Sequence, residues 1–488
     1  MIFSSSTFMV FFAVVLFLYA GAQSYRQRAA VILVASLIFY ASWKPAYLLL
    51  LGASLSLNYL LYRCVQRSPA RSIRAKAWVT VALVLNLGVL TFYKYLALAF
   101  ETVVTLEGWL GVSPPAQEPG WVHWALPLGI SFYTFHMLSV MIDVYRGDWQ
   151  KPISFKAWTL YVTFFPHMIA GPILRASELV EQLENLQPLK LDQLRLGALI
   201  FIAGLLKKSL FADNLAPIVA SLYAQPGQLD FHLAWLATLG FAAQIYFDFS
   251  GYSEMAIGLA RVFGVTLPRN FRYPYVSHSV QEFWQRWHMT LSRWLRDYLY
   301  ISLGGSRRGY GRNLANLMIT MLLGGLWHGA GWNFVFWGFL HGSYLVGHRV
   351  LVAVYKQFGL NVRPRISAFI SWSGLPLTFI LVNFAWVFFR ATRFHDAWLI
   401  SSAMLGLREP IATPVEVRLY LQIFIVFALM LAWFEPYLVR RLEKLGVMDW
   451  WRVPALLRGA SYATLVLALT VFGGGTQKFI YFDFCESG

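Results

Sequence analysis

Long apolar runs follow one another through the chain, separated by short segments that carry most of the charge. Residues 8–22 form the first run. Residues 31–43 and 47–62 read as a tight helical hairpin broken at Lys44-Pro45, because proline cannot continue a helix from the preceding turn. Residues 63–76 hold five basic residues and no acid, which places them on the cytoplasmic side of a membrane. Residues 78–100 make the next run. Residues 101–119 carry three Glu and no Lys or Arg and include Pro114-Pro115, so they read as an external loop. The run at 126–145 returns and ends among Asp143, Arg146 and Asp148.

The second part of the pattern is less regular. Residues 158–173 are too short for a comfortable span, which needs about 20 residues, and they contain Pro166, Gly171 and Pro172. This predicts a re-entrant or broken segment, which is tolerated at depth only where protein or a water-filled cavity covers it. Residues 177–186 place Leu179, Val180, Leu183 and Leu186 at helical spacing away from Glu178, Glu181 and Glu184, predicting an amphipathic interfacial helix. Residues 196–211 are interrupted by Lys207-Lys208, read as lysines snorkelling to the interface. Residues 232–263 are long enough for a tilted or kinked span. Between 281 and 299, Phe283, Trp284, Trp287, Leu291, Trp294, Leu295, Tyr298 and Leu299 recur every three to four residues, predicting one helix with a wide apolar face. Runs at 314–327, 332–344, 366–389, 419–433 and 455–472 complete the series. Arg440, Arg441, Lys444 and Arg452 mark another cytoplasmic loop.

Composition agrees with that pattern. Of 488 residues, 58% are hydrophobic and 13% charged, against roughly 25% charged in soluble domains. The chain reads as one polytopic membrane domain, because a helical bundle grows laterally in the bilayer. The net charge of +17 follows from basic residues clustered in short loops. No zinc spacing, RNA-binding signature or soluble basic domain points to nucleic acid. The two cysteines, Cys64 and Cys485, stand at opposite ends, so neither a disulfide nor a cysteine metal cluster is expected. Ala20-Gly21-Ala22 looks like a cleavage site. However, no Lys or Arg precedes the first run while Arg26 and Arg28 follow it, predicting an uncleaved helix with its N-terminus outside the cytoplasm.

Ionisable residues at membrane depth are the candidates for chemistry. His328 lies in Leu-Trp-His-Gly-Ala-Gly-Trp, where Gly325, Gly329 and Gly331 permit a bulky partner to approach. A neutral imidazole there can take a proton from an alcohol, the first need of acyl transfer to a hydroxyl; equally, it can be a histidine bonded to a neighbouring carbonyl. His288, four residues after Trp284 and three before Leu291, borders the predicted apolar face. It can orient a substrate, or simply belong to an aromatic interfacial belt. Asp248 and Glu254 must face the interior, and pairing with an interior Arg or Lys accounts for them without catalysis. His136 and His167 read as core histidines. The two histidines 40 residues apart are not a zinc signature, and no metal is expected. GxSxG, Walker A and a GxGxxG opening a helix after a strand are all absent.

Six stretches occur in order: LPLGISFYTFHMLSVMIDVYRG, FFPHMIAGPILR, QIYFDFSGYSEMAIG, FRYPY, EFWQRWHMTLSRWLRDYLYISLGG and GGLWHGAGWNFVFWG. Together they resemble the membrane-bound O-acyltransferase family, and within it the bacterial branch that acetylates alginate and related exopolysaccharides. The resemblance runs over residues 8–484 and includes an ending similar to Phe479-Ile480-Tyr481-Phe482. It implies an all-α polytopic membrane protein of about eleven transmembrane helices, with re-entrant and interfacial helices around a central tunnel. It implies a bacterial inner-membrane location, acetyl-CoA as cytosolic acyl donor, and His328 as the catalytic histidine. His288 is then the second active-site position. The implied partners are a periplasmic SGNH-type acetyltransferase and polysaccharide export machinery. His136 and His167 stand where similar stretches often carry Gln. Acetylation of peptidoglycan or cellulose, and D-alanyl transfer from a carrier protein, remain alternatives within the class. Outside it stand a small-anion or sugar transporter, for which no repeated halves are evident, and a non-catalytic export scaffold.

Overall fold

The computed structural model describes residues 1–111, 119, 126–357, 364–411, 417–444, 453–473, 475, 477, 479 and 480. Pro114-Pro115, Arg452, Cys485 and the Tyr481-Phe482 ending lie outside them. Among the described residues the regular elements are helices. They are α1 (Ser6–Gly21), α2 (Tyr25–Ala41), α3 (Tyr47–Gln66), α4 (Ile73–Lys94), α5 (Leu96–Trp109), α6 (Ile130–Arg146), α7 (Phe155–Thr163), α8 (Ala176–Glu184), α9 (Leu191–Leu206) and α10 (Asp213–Tyr223). There follow α11 (Phe231–Val262), α12 (Val280–Arg286), α13 (Met289–Trp294), α14 (Tyr310–His328), α15 (Trp332–Gln357), α16 (Pro364–Arg390), α17 (Phe394–Met404), α18 (Leu419–Lys444) and α19 (Ala455–Phe472).

Four of these segments are long and apolar enough to cross a membrane by length and composition: Tyr47–Gln66, Ile73–Lys94, Ser373–Arg390 and Leu419–Arg441. Their outer faces carry exposed apolar side chains such as Leu49, Val84, Leu377 and Val426. Lipid, unlike water, solvates such a surface without penalty, while every backbone polar group still needs a partner. Serine side chains meet part of that need at helix starts. Ser5, Ser24, Ser72 and Ser154 each accept a first-turn N–H, and Ser24 forms a reciprocal capping box with Gln27.

The chain divides into two compact units: residues 1–202 with 253–268, and residues 203–252 with 269–480. In the first unit, α3 packs on α4 and α6, and α7 packs on α2 and α8. Where α9 crosses α11, a Cβ on Gly197 would lie 2.6 Å from the Gly258 carbonyl oxygen. The two backbones approach as small residues allow in membrane helices. The broken segment predicted after residue 158 is present: α7 ends at Thr163 and turns continue to residue 171, with Phe164, Phe165, His167 and Met168 all buried in protein. The amphipathic helix is α8, and it buries Leu179, Val180 and Leu183.

Three expectations are corrected. Residues 101–109 are not loop but most of α5, separated from α4 at Tyr95; the charge pattern identified a side of the membrane, which says nothing about backbone conformation. Lys207 and Lys208 do not snorkel. They begin a π-helical turn, Lys207–Ala212, and their side chains are 15% and 1% exposed, paired inside the second unit. The run 281–299 is not one helix. Trp287 is extended and His288 has φ 41°, so the chain breaks into α12, α13 and a π-helical turn at Leu295–Tyr300. Its backbone bonds go sideways instead: Arg272 N–H donates to Arg286 O and Met289 N–H to Asn270 O, both at 2.9 Å. The buried set is as the periodicity predicts for Phe283, Trp284, Trp287, Leu291, Leu295 and Tyr298.

Candidate active site

The second unit holds both candidate histidines. His328 is the last residue of α14, and α15 turns back alongside that helix. The glycines of this hairpin are filled by the chain itself. A Cβ on Gly325 would lie 2.3 Å from Phe334 O, one on Gly338 would lie 2.4 Å from Met321 O, and one on Gly329 would strike the Phe334 ring at 2.1 Å. The bulky partner anticipated from these glycines is therefore α15. Backbone-to-backbone packing on both sides of the turn fixes where α14 ends, and so where His328 sits.

Aromatic rings meet the His328 ring edge-on, among them Trp327 at 4.9 Å, Trp337 at 5.1 Å and Phe389 at 5.1 Å between centroids. His328 is 5% exposed. Phe389 belongs to α16, whose end is tied to the start of α15 by Asn333. The Asn333 side-chain amide donates to Phe388 O at 3.2 Å and Ala391 O at 2.7 Å.

His288 is fully buried in the link between α12 and α13, with a left-handed backbone that a non-glycine residue adopts only under constraint. The constraint is Asn270. Its Oδ1 lies 2.9 Å from Thr290 Oγ1, 3.3 Å from Thr290 N and 3.2 Å from His288 Nδ1. A backbone N–H can only donate, so the Asn270 atom facing it is the oxygen. His288 Nδ1 then carries the proton and donates, leaving the lone pair on Nε2. Among the described protein atoms Nε2 has no hydrogen-bond partner. The histidine is thus oriented and its tautomer set by a neighbour, as in other sites where the second ring nitrogen does chemistry.

The two histidines meet on one indole. Trp327 lies 4.9 Å from His328 and 6.3 Å from His288, ring centre to ring centre. Phe249 closes the far side of His288 edge-on at 4.7 Å. A third histidine, not singled out by sequence, neighbours them. His341 on α15 is fully buried, stacks on Phe283 at 6.1 Å and meets Trp337 at 4.7 Å. Asn270 was also missed: an asparagine in a Pro-Arg-Asn-Phe-Arg loop carries no periodic or spacing signal.

The other polar candidates have partners of their own. Asp248 pairs with Lys208 at 2.7 Å, the interior ion pair expected for it, and Lys207 pairs with Glu435 at 2.6 Å. In the first unit, His136 and His167 pack ring to ring at 4.7 Å. His136 Nε2 accepts from Leu174 N at 3.1 Å and His167 Nε2 donates to Tyr161 O at 3.0 Å, so both are backbone-bonded core residues.

Residues 144–394 match the model of the membrane-bound O-acyltransferase family, MBOAT. The chain is 40% identical over 408 residues to the "Probable alginate O-acetylase AlgI" of Pseudomonas aeruginosa, covering 83% of this chain and 75% of that protein. It is likewise 40% identical over 409 residues to the protein of that name from Azotobacter vinelandii, covering 83% and 78%. To the "Peptidoglycan O-acetyltransferase" of Helicobacter pylori it is 36% identical over 402 residues, covering 77% and 73%. An all-helical membrane chain with two buried histidines on one indole, and with these relatives along most of its length, belongs to the membrane-bound O-acyltransferase family and is an O-acyltransferase.

Proposed function

We propose that this enzyme takes an acetyl group from cytosolic acetyl-CoA and passes it across the bacterial inner membrane for O-acetylation of an exported polysaccharide such as alginate. The whole chain acts as one membrane domain, with about eleven helices around a tunnel. A periplasmic SGNH-type acetyltransferase and the polysaccharide export machinery are its partners. The observation that carries the reading is the joint enclosure of His288 and His328 around Trp327, in a chain whose relatives are named as O-acetylases and O-acetyltransferases.

In the proposed reaction, His328 accepts the proton of an acceptor hydroxyl as its oxygen attacks the thioester carbonyl. The tetrahedral intermediate collapses, the C–S bond breaks, and His328 passes its proton to the departing sulfur, releasing the thiol and regenerating the neutral imidazole. General base catalysis of this kind contributes about 10²–10⁴-fold. His288 offers Nε2 as an acceptor and holds a substrate O–H or N–H in register. Exposed Arg269, Arg272, Arg307, Arg308 and Arg312 supply cations for the phosphates of the donor. A peptidoglycan acceptor is the second reading, favoured by the Helicobacter pylori relative.

The test is acetyl transfer from labelled acetyl-CoA in membrane vesicles, with alginate and peptidoglycan fragments as competing acceptors. His328→Ala should abolish transfer while the protein remains folded and monodisperse. Turnover near that of the unmodified enzyme in this variant would remove His328 from the mechanism.

A further inference from the structure

A cluster of three charged side chains is buried in the apolar interior of the second unit. Lys208, Asp213 and Asp248 are 1%, 1% and 4% exposed, and Lys208 Nζ lies 2.7 Å from a carboxylate oxygen of each aspartate. Ion pairing alone gives no reason for the cluster, since a buried pair is often no more stabilising than apolar residues of equal volume. One cation also faces two carboxylates. The arrangement makes sense once a second set of partners is included, at the end of α19 and at Ile480. Asp248 Oδ2 accepts the backbone N–H of Ile480 at 2.7 Å. Asn214, next in sequence to Asp213, donates its side-chain amide to Phe472 O at 2.8 Å. Asn214 at the start of α10 and Asp248 on α11 thus hold the backbone at Phe472 and at Ile480.

The held segment leads to the site. Phe479 is fully buried, stacks on Tyr252 at 4.5 Å with an interplanar angle of 23°, and lies 5.6 Å from Phe249. Phe249 adjoins Asp248 in sequence and is the ring that meets His288 edge-on at 4.7 Å. We propose that Lys208, Asp213 and Asp248 form a buried clamp for the backbone at Ile480, and that Asp248, through Phe479 and Phe249, is a positioning residue for His288. A carboxylate is needed there because it accepts a backbone N–H strongly, and Lys208 is needed because a charge buried in an apolar interior requires a paired opposite charge. This inference rests on the reading of His288 as an active-site residue.

Two variants cut the same bond from opposite ends. Asp248→Leu removes the acceptor and leaves Lys208 neutralised by Asp213. Ile480→Pro removes only the donor. The clamp requires each to lower acetyl turnover by about tenfold to a hundredfold at unchanged donor KM, the effect of a small misplacement at a reacting centre. The double variant should be no worse than either alone, as for two ends of one interaction. Hydrogen exchange of the peptide spanning residues 477–480, followed by mass spectrometry on the full-length protein, reads the clamp without any assay of activity. Asp248→Leu should accelerate it strongly. Unchanged exchange in Asp248→Leu would overturn the clamp, and wild-type turnover in Ile480→Pro would overturn its positioning role. If Asp248→Leu fails to fold, Ile480→Pro decides. If the chain proves not to transfer acetyl groups, the exchange result still stands or falls by itself.

Discussion

Replacing Asn270 by Leu exchanges its carboxamide, and with it the Oδ1 acceptor, for an apolar group of similar size and tests the orientation of His288 directly. That oxygen receives three donors: Thr290 Oγ1 at 2.9 Å, Thr290 N at 3.3 Å and His288 Nδ1 at 3.2 Å. A buried donor left without an acceptor costs about 1–3 kcal/mol. The Thr290 hydroxyl can rotate to another partner, but its backbone N–H cannot. Of the two donors that remain, the imidazole has an escape: it moves its proton to Nε2. The expected stability loss is therefore that of one backbone N–H, about 1–3 kcal/mol, and the tautomer inverts.

Inversion removes the lone pair from Nε2, the atom that has no hydrogen-bond partner among the described protein atoms. Turnover should fall by about 10²-fold, with little change in the KM for the acyl donor, because geometry at the reacting centre is lost and donor binding is not. Histidine-selective ¹⁵N labelling reads the tautomer, with a His288→Gln sample assigning the signal. Steady-state acetyl transfer supplies kcat and KM. If Asn270→Leu turns over within about twofold of the unmodified enzyme, or if its His288 still carries the proton on Nδ1, the orientation argument is wrong.

Other expectations follow from the same geometry. Gly325→Ala puts a methyl group 2.3 Å from the Phe334 carbonyl oxygen, so α14 must shift against α15. The shift should cost about 1–3 kcal/mol in thermal unfolding and displace His328 enough to lower kcat about tenfold or more. Arg307→Gln with Arg308→Gln should raise the KM for acetyl-CoA several-fold while leaving kcat within about twofold, and the remaining KM should depend less on salt. His288→Gln should reduce kcat less than His328→Ala does, because positioning is lost and the base is kept; equal losses would contradict the division of roles.

Periodicity and charge located much of this protein. The buried face of residues 281–299 and the amphipathic residues 177–186 were legible because side-chain spacing reports which face is buried, and the broken stretch after residue 158 because it is short for a span and carries Pro166, Gly171 and Pro172. Periodicity does not report where a helix yields to a competing set of backbone bonds. Trp287 and His288 fit the apolar rhythm, yet the chain leaves the helix between them because Asn270 and Arg272 offer partners from a loop far away in sequence. A non-local competitor of that kind leaves no trace in a window of a dozen residues. The same holds for Lys207 and Lys208: their snorkelling reading was sound for a lone lysine near an interface, and it fails because Asp213, Asp248 and Glu435 wait inside.

These two failures have one cause. Each polar residue that broke the apolar pattern was judged by its neighbours in sequence, whereas in a membrane interior its conformation is decided by whichever buried group can satisfy it. His288 is held by an asparagine 18 residues upstream, and Asp248 by a lysine 40 residues upstream and a backbone amide 232 residues downstream. Both connections converge on one place, since Phe249 follows Asp248 and touches His288. The polar interruptions of the apolar runs are therefore not independent blemishes. They are the groups through which distant segments are brought against the histidine pair, and their pairing has to be complete before that pair is in register.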